Sequence, residues 1–202
     1  VTVQAVADDT QSGIVRYWYS CDSNIFDAST WYPMEFNNGI GSITLTAEQD
    51  TDYFVVAEDG VGRISEVSTI HVSIDKTAPA DLLVQFVMGE GSGYHGTDAS
   101  GRAIYKDILT FCAAASDPAS GVCAYRYRVV DSEGQQSAWV GIEAGEEGIS
   151  PAITELPDGI YTVYVVVYDA AGNCSEEIRL THNGENADFV LENTPAEDAQ
   201  RY

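Results

Sequence analysis

The chain is short of positive charge, histidine and long apolar runs, and each shortage removes a class of function. Its 202 residues carry 9 Lys and Arg against 32 Asp and Glu, a formal net charge of −23. Phosphate backbones and anionic lipid are gripped by clusters of Lys and Arg, so nucleic acid and membrane surfaces are not expected partners. No apolar run reaches the roughly 18 residues a membrane-spanning helix needs. The start, Val1-Thr2-Val3-Gln4, lacks the basic-then-apolar layout of a secretion signal. The 3 histidines, His71, His95 and His182, stand in no local Ser, Cys or metal-binding signature. No catalytic residue is therefore assigned, and the chain is not expected to be an enzyme. The 4 cysteines form no C-x-x-C or Cys/His cluster, which argues against zinc. No long helical periodicity is visible.

What the chain has is repetition. The pattern D-x-x-S-G-[IV]-x-x-Y-x-Y occurs at Asp9, Ser12, Gly13, Ile14, Tyr17 and Tyr19, and again 108 residues later at Asp117, Ser120, Gly121, Val122, Tyr125 and Tyr127. Trp31 and Trp139 keep the same spacing of 108, and D-x-x-G recurs at Asp59 and Asp169 with a spacing of 110. That period is too long for a solenoid unit and suits a small all-β domain. We therefore expect two tandem immunoglobulin-like β-sandwiches of about seven strands each. The first should span 1–78, with its first strand missing, and the second 79–194, with a stub at 195–202. The second copy has more sequence ahead of its motif than the first, which suggests a fragment of a longer protein.

Alternating apolar residues place the strands. Val1, Val3, Ala5 and Ala7 in one copy, and Leu109, Phe111, Ala113 and Ala115 in the other, share one face of a strand B. Tyr17 and Tyr19, like Tyr125, Tyr127 and Val129, share a face of strand C. Residues 41–46 and 150–156 read as strand E, 53–57 and 161–167 as a β-rich central strand F, and 65–74 and 175–191 as strand G. His182-Asn183-Gly184-Glu185-Asn186 interrupts the last with a bulge or loop. Asp75 to Pro79 is a short, stiff linker, echoed by Glu192-Asn193-Thr194-Pro195. Residues 81–106, with five glycines between Gly89 and Gly101, read as a flexible surface insertion.

These motifs resemble the bacterial immunoglobulin-like repeats of secreted and cell-wall proteins. The likeness rests on Ser12-Gly13-Ile14, Ala57 to Gly62, Ile74 to Pro79, Ser120-Gly121-Val122 and Tyr168 to Asn173, and covers nearly the whole chain. Arg63, standing where the turn usually has Asn, departs from it. The resemblance implies an extracellular or cell-surface stalk, spacer or adhesin unit whose partners are other domains of the same polypeptide. The alternative is a module binding a glycan or a host surface protein, including as an accessory to a polysaccharide-degrading enzyme. No particular ligand follows.

Four constellations bear on function. Cys123 and Cys174 replace an apolar pair, Val15 and Ile64, of the first copy and form a disulfide candidate, although strand F should lie between them; Cys21 and Cys112 read as free thiols. Asp50, Asp52, Asp75, Asp117 and Asp169 are candidate calcium ligands at the junction of the copies. Against that, Asp9, Asp59, Asp117 and Asp169 recur because each can accept backbone N–H bonds within its own turn. Trp31 and Trp139 are expected to pack on the core or an edge of each copy. Trp18, facing away from Tyr17 and Tyr19, with Tyr32 nearby, is a candidate ligand patch.

Overall fold

The computed structural model describes residues 1–24 and 27–193, so the expected stub and the Thr194-Pro195 end of the second linker echo lie outside the described residues. The chain divides into two compact units, Val1–Lys76 and Thr77–Tyr202. The expected all-β architecture of two tandem sandwiches holds. Among the described residues no helix is long and apolar enough to cross a membrane, and the one regular helical segment is a 3₁₀ turn at Ala28–Thr30 capped by the Asp27 side chain.

Unit 1 contains β1 (Thr2–Val6), β2 (Ile14–Ser20), β3 (Tyr32–Pro33), β4 (Glu35–Asn37), β5 (Ile40–Thr44), β6 (Gln49–Asp59) and β7 (Ser68–Ile74). They form two sheets, ordered β1-β5-β4 and β3-β2-β6-β7. The period-2 pattern puts Val3, Tyr17, Ile43, Tyr53, Val55, Ala57 and Val72 on the facing inner surfaces, with Met34 closing the core.

Unit 2 contains β8 (Ala80–Phe86), β9 (Tyr94–Thr97), β10 (Ala103–Tyr105), β11 (Ile108–Ser116), β12 (Val122–Asp131), β13 (Val140–Glu143), β14 (Ala152–Thr154), β15 (Gly159–Asp169), β16 (Ile178–Arg179), β17 (Thr181–His182), β18 (Glu185–Asn186) and β19 (Phe189–Leu191). One sheet runs β14-β11-β8-β17-β18 and the other β13-β12-β15-β19-β10-β9, with β16 also on β15. The core packs Val84, Tyr105, Leu109, Phe111, Tyr125, Val163, Val165, Val167, Leu180 and Phe189. The central pair β12 and β15 stays in antiparallel register from Val122 opposite Asp169 to Asp131 opposite Tyr161, with one bulge.

Two expectations are corrected. The segment 81–106 is not a flexible insertion: β8 pairs with β11, β10 pairs in parallel with β19, and Tyr105 is fully buried. Apolar alternation at Leu82, Val84 and Phe86, and at Ala103 and Tyr105, overrides the glycines between them. The 182–186 interruption is a hairpin. β17 leaves the β15 sheet to pair in parallel with β8, Asn183 and Gly184 turn at φ +52° and +84°, and β19 returns to β15. An Asn-Gly pair at positive φ suits a two-residue hairpin turn, because neither residue is strained there.

Candidate functional site

The repeated motifs build turns. In unit 1, Asp9 accepts the Gln11 amide at 2.8 Å and the Ser12 hydroxyl at 2.6 Å; in unit 2, Asp117 accepts the amides of Ala119, Ser120 and Gly121 at 2.9–3.0 Å. Asp59 accepts from the Val61 and Arg63 amides, and Asp169 from the Asn173 amide and side chain. At Asp9 and Asp59 these bonds favour the charged carboxylate. The Ser12 hydroxyl, then the Gln11 amide, hold Asp9 below its ordinary pKa, and the Arg63 amide does so for Asp59. The first tyrosine of each motif serves the same end: Tyr17 Oη accepts the Ala7 amide at 2.7 Å, and Tyr125 Oη accepts the Ala115 amide at 3.1 Å. Each tyrosine thus ties the end of strand B to strand C.

Four of the proposed calcium ligands fall into pairs, each within one unit. Asp117 and Asp169 bring carboxylate oxygens within 4.8 Å of each other, and both also serve the turns described above. Asp75 follows β7 and is half-buried. Asp50 and Asp52, on β6, flank His71 on β7, with Asp52 2.8 Å from Nδ1 and Asp50 3.0 Å from Nε2. The register explains this, since Asp52 lies directly opposite His71. The Asp52 bond, then the Asp50 bond and charge, raise the His71 pKa above 6.5.

A folded-state pKa raised above the unfolded value gives stability that is complete below about 6.5 and fades as pH climbs through the folded value. His71→Gln should therefore lower the thermal midpoint of unit 1 most near pH 6, with the difference between the two proteins shrinking as pH rises from about 6 to about 9, above the ~6.5 reference for histidine. Thermal scans of both proteins across that window check this. A pH-independent difference would remove the assignment.

The disulfide candidate is not joined. All four cysteines are free thiols, with Cys123 Sγ donating to the Asp169 carbonyl at 2.9 Å and Cys174 Sγ to that of Ser175. The reason is strand order. Tyr168 on β15 pairs with Ala124 on one side and Cys174 on the other, so the two cysteines flank a strand. Two strand spacings are about 9–10 Å, beyond the ~7 Å limit for a bridge.

The aromatic patch is rearranged. Trp18 does face outward, but Tyr32 pairs directly with Tyr19 and its ring lies 5.8 Å from that of Tyr19. Directly paired residues share a face, so Tyr32 and Trp18 lie on opposite faces of the sheet. Trp18 instead shares a cleft with Trp31. Together with Ala28, Val56, Glu58 and Ile64 they line an open cleft of about 290 Å³ on the outer face of β2 and β6. Glu58 fixes Trp18 by accepting its indole N–H at 2.8 Å, and the Arg16 guanidinium lies 5.1 Å from the ring centre. Trp31 donates to the Asn24 carbonyl.

Neither repeated tryptophan enters a core cluster. In unit 2 the same outer face is closed: Arg128 lies over Trp139 at 4.9 Å and Tyr164 at 5.5 Å, while Arg126 covers Tyr168 at 5.0 Å. In unit 1, Trp18 stands where unit 2 has Arg126. The repeat of Trp31 and Trp139 pointed to a shared structural role, and only the register reveals the outer face.

No protein-family model and no curated protein sequence matches the chain. Among solved structures it is similar to domains A168–A170 of titin, at 12% identity and a TM-score of 0.58, covering 95% of this chain and 59% of that one. It thus spans less than two thirds of the titin fragment. Fibronectin(III)-like modules of Clostridium thermocellum CbhA align over 95% of this chain and 86% of theirs, with 12% identity and a TM-score of 0.40. The titin likeness carries the fold class, an immunoglobulin-like tandem of β-sandwiches.

Proposed function

We propose that the chain is a non-catalytic spacer within a larger extracellular or surface-attached bacterial protein, holding other domains of that polypeptide apart. One observation carries this reading. The acidic and tyrosine residues shared by the two copies are engaged in turn amides and strand ties, so duplication preserved the parts that build a sandwich. Force spectroscopy of the whole chain tests it. Two separate unfolding events, each resisted by its own sheets, support a load-bearing spacer; extension without resolved barriers sinks it.

A second reading has its own observation, the Trp18 and Trp31 cleft with Glu58 at its wall. Sugars stack on such rings while a carboxylate accepts their hydroxyls. Glycan arrays probed with the whole chain discriminate. Binding that falls at least about tenfold in both Trp18→Ala and Trp31→Ala, the loss expected for one stacking contact, supports a glycan module. Silence across a broad array leaves the spacer reading.

A further inference from the structure

The cation–π contacts among the described residues share one kind of surface. Arg16 lies over Trp18, Arg126 over Tyr168, and Arg128 over both Trp139 and Tyr164. Strand parity turns Arg16 and Trp18 outward on β2, opposite in sense to the buried Tyr17, and turns Arg126, Arg128, Tyr164 and Tyr168 outward on β12 and β15. Of the three tryptophans, only Trp31 has no cation over its ring among the described residues. The second copy shows what is missing. Trp31 lies 108 residues before Trp139, and the residue 108 before Arg128 is Ser20. The register agrees, with Arg128 opposite Tyr164 and Ser20 opposite Phe54. Val67, 110 residues before Glu177, likewise lacks the carboxylate that pairs with Arg128 in unit 2.

The cleft that Trp31 lines holds the chemistry for a cation. Both indole N–H groups are already used, Trp18 on Glu58 Oε2 at 2.8 Å and Trp31 on the Asn24 carbonyl at 3.2 Å, so the rings are left to offer their electron-rich faces. Glu58 adds a carboxylate whose Oε1 has no partner among the described residues, on a side chain 22% exposed. Arg16 displays the arrangement: its guanidinium lies 5.1 Å from the Trp18 ring centre and 3.7 Å from Glu58 Oε2. Ala28, Val56 and Ile64 complete the wall with apolar surface, which suits the methylene stem of a long side chain. We propose that the Trp18–Trp31 cleft receives an arginine side chain from a basic segment of a partner protein, its guanidinium stacked on Trp31 and bonded to Glu58. Arginine fits better than lysine, because its planar fork lies on a ring and meets a carboxylate at the same time. The net charge of −23 draws such a segment in. This goes beyond the spacer reading and does not depend on it, and it gives the cleft an occupant that differs from a glycan by its charge.

The test titrates the whole chain with a short Gly/Ser peptide bearing one central arginine, and with the same peptide bearing citrulline, its neutral isostere, followed by NMR. The arginine peptide should bind about fivefold more tightly or better, the factor that one cation–π contact supplies. It should shift the indole N–H resonances of Trp18 and Trp31 and leave that of Trp139 in place. Glu58→Gln removes the charge while keeping an oxygen to accept the Trp18 N–H, so it should weaken the arginine peptide by a similar factor. Trp31→Ala should do the same, and Glu58→Gln carries the test if Trp31→Ala fails to fold. No saturable binding, equal affinity for arginine and citrulline, or affinity that a folded Trp31→Ala retains overturns the proposal, the last because the peptide would then be held by the acidic surface at large. So does a neutral oligosaccharide that shifts the same two indoles and binds Glu58→Gln unchanged, since the cleft would then serve a glycan.

Discussion

Tyr105→Ala should destabilise unit 2 by about 3–5 kcal/mol, the range for emptying the site of a buried aromatic ring. Tyr105 is fully buried, and its ring centre lies 5.7 Å from that of Phe86, 5.8 Å from Tyr94 and 6.1 Å from Phe189. Its hydroxyl donates to the Val87 carbonyl at 2.9 Å, and burial pushes its pKa strongly upward. Its strand β10 sits between β19 and β9, so the ring closes one end of the core where the sheet passes from one hairpin to the next. Truncation removes packing for three aromatic neighbours at once, and the surrounding strands are too constrained to collapse into the gap. Tyr105→Phe, which gives up only the hydroxyl bond, should cost about 1 kcal/mol. Denaturant unfolding of the whole chain, with amide hydrogen exchange to read the two units separately, measures both values. Were 81–106 a mobile insertion, both would fall within about ±0.5 kcal/mol, as surface substitutions do.

That contrast marks where the sequence is legible. Strands B, C, E and F follow from alternation that no nearby residue contradicts, as in Leu109, Phe111, Ala113 and Ala115 along β11, and the D-x-x-S-G turns follow from residues with one dominant local use. The glycines from Gly89 to Gly101 dilute the apolar signal around them, so β9, β10 and most of β8 read as one loop. The cleft was half legible. The outward face of Trp18 follows from strand parity, but the neighbour of Trp18 depends on the pairing of Tyr19 with Tyr32, and register is a tertiary property that a single strand's sequence does not contain. The cysteine pair follows the same logic: equivalence between copies placed Cys123 and Cys174 at one end of one sheet, and the width of the intervening strand decided that they stay apart.

The glycines themselves carry the second large expectation, because at one of them the chain has no other choice. Gly93 sits at φ +82°, and a β-carbon there would lie 1.9 Å from the Ile108 carbonyl oxygen and 2.7 Å from Ile108 Cγ2. The approach is held by the Lys106 amide, which donates to the Gly93 carbonyl at 2.8 Å and draws the loop onto the start of β11. Gly91 has nearly the same conformation, φ +81°, with nothing within 4 Å of the added carbon. Gly91→Ala therefore isolates the conformational cost, about 1–2 kcal/mol for a side chain in the left-handed region. Gly93→Ala pays that cost and must also displace the backbone of a core strand, so its loss should exceed that of Gly91→Ala by about 2 kcal/mol or more, the scale of overpacking a close-packed interior. Parallel denaturation of the two variants reads the difference. Equal losses would mean that the loop yields freely and that Gly93 supplies flexibility; a gap of the expected size means that this glycine exists to let two backbones touch.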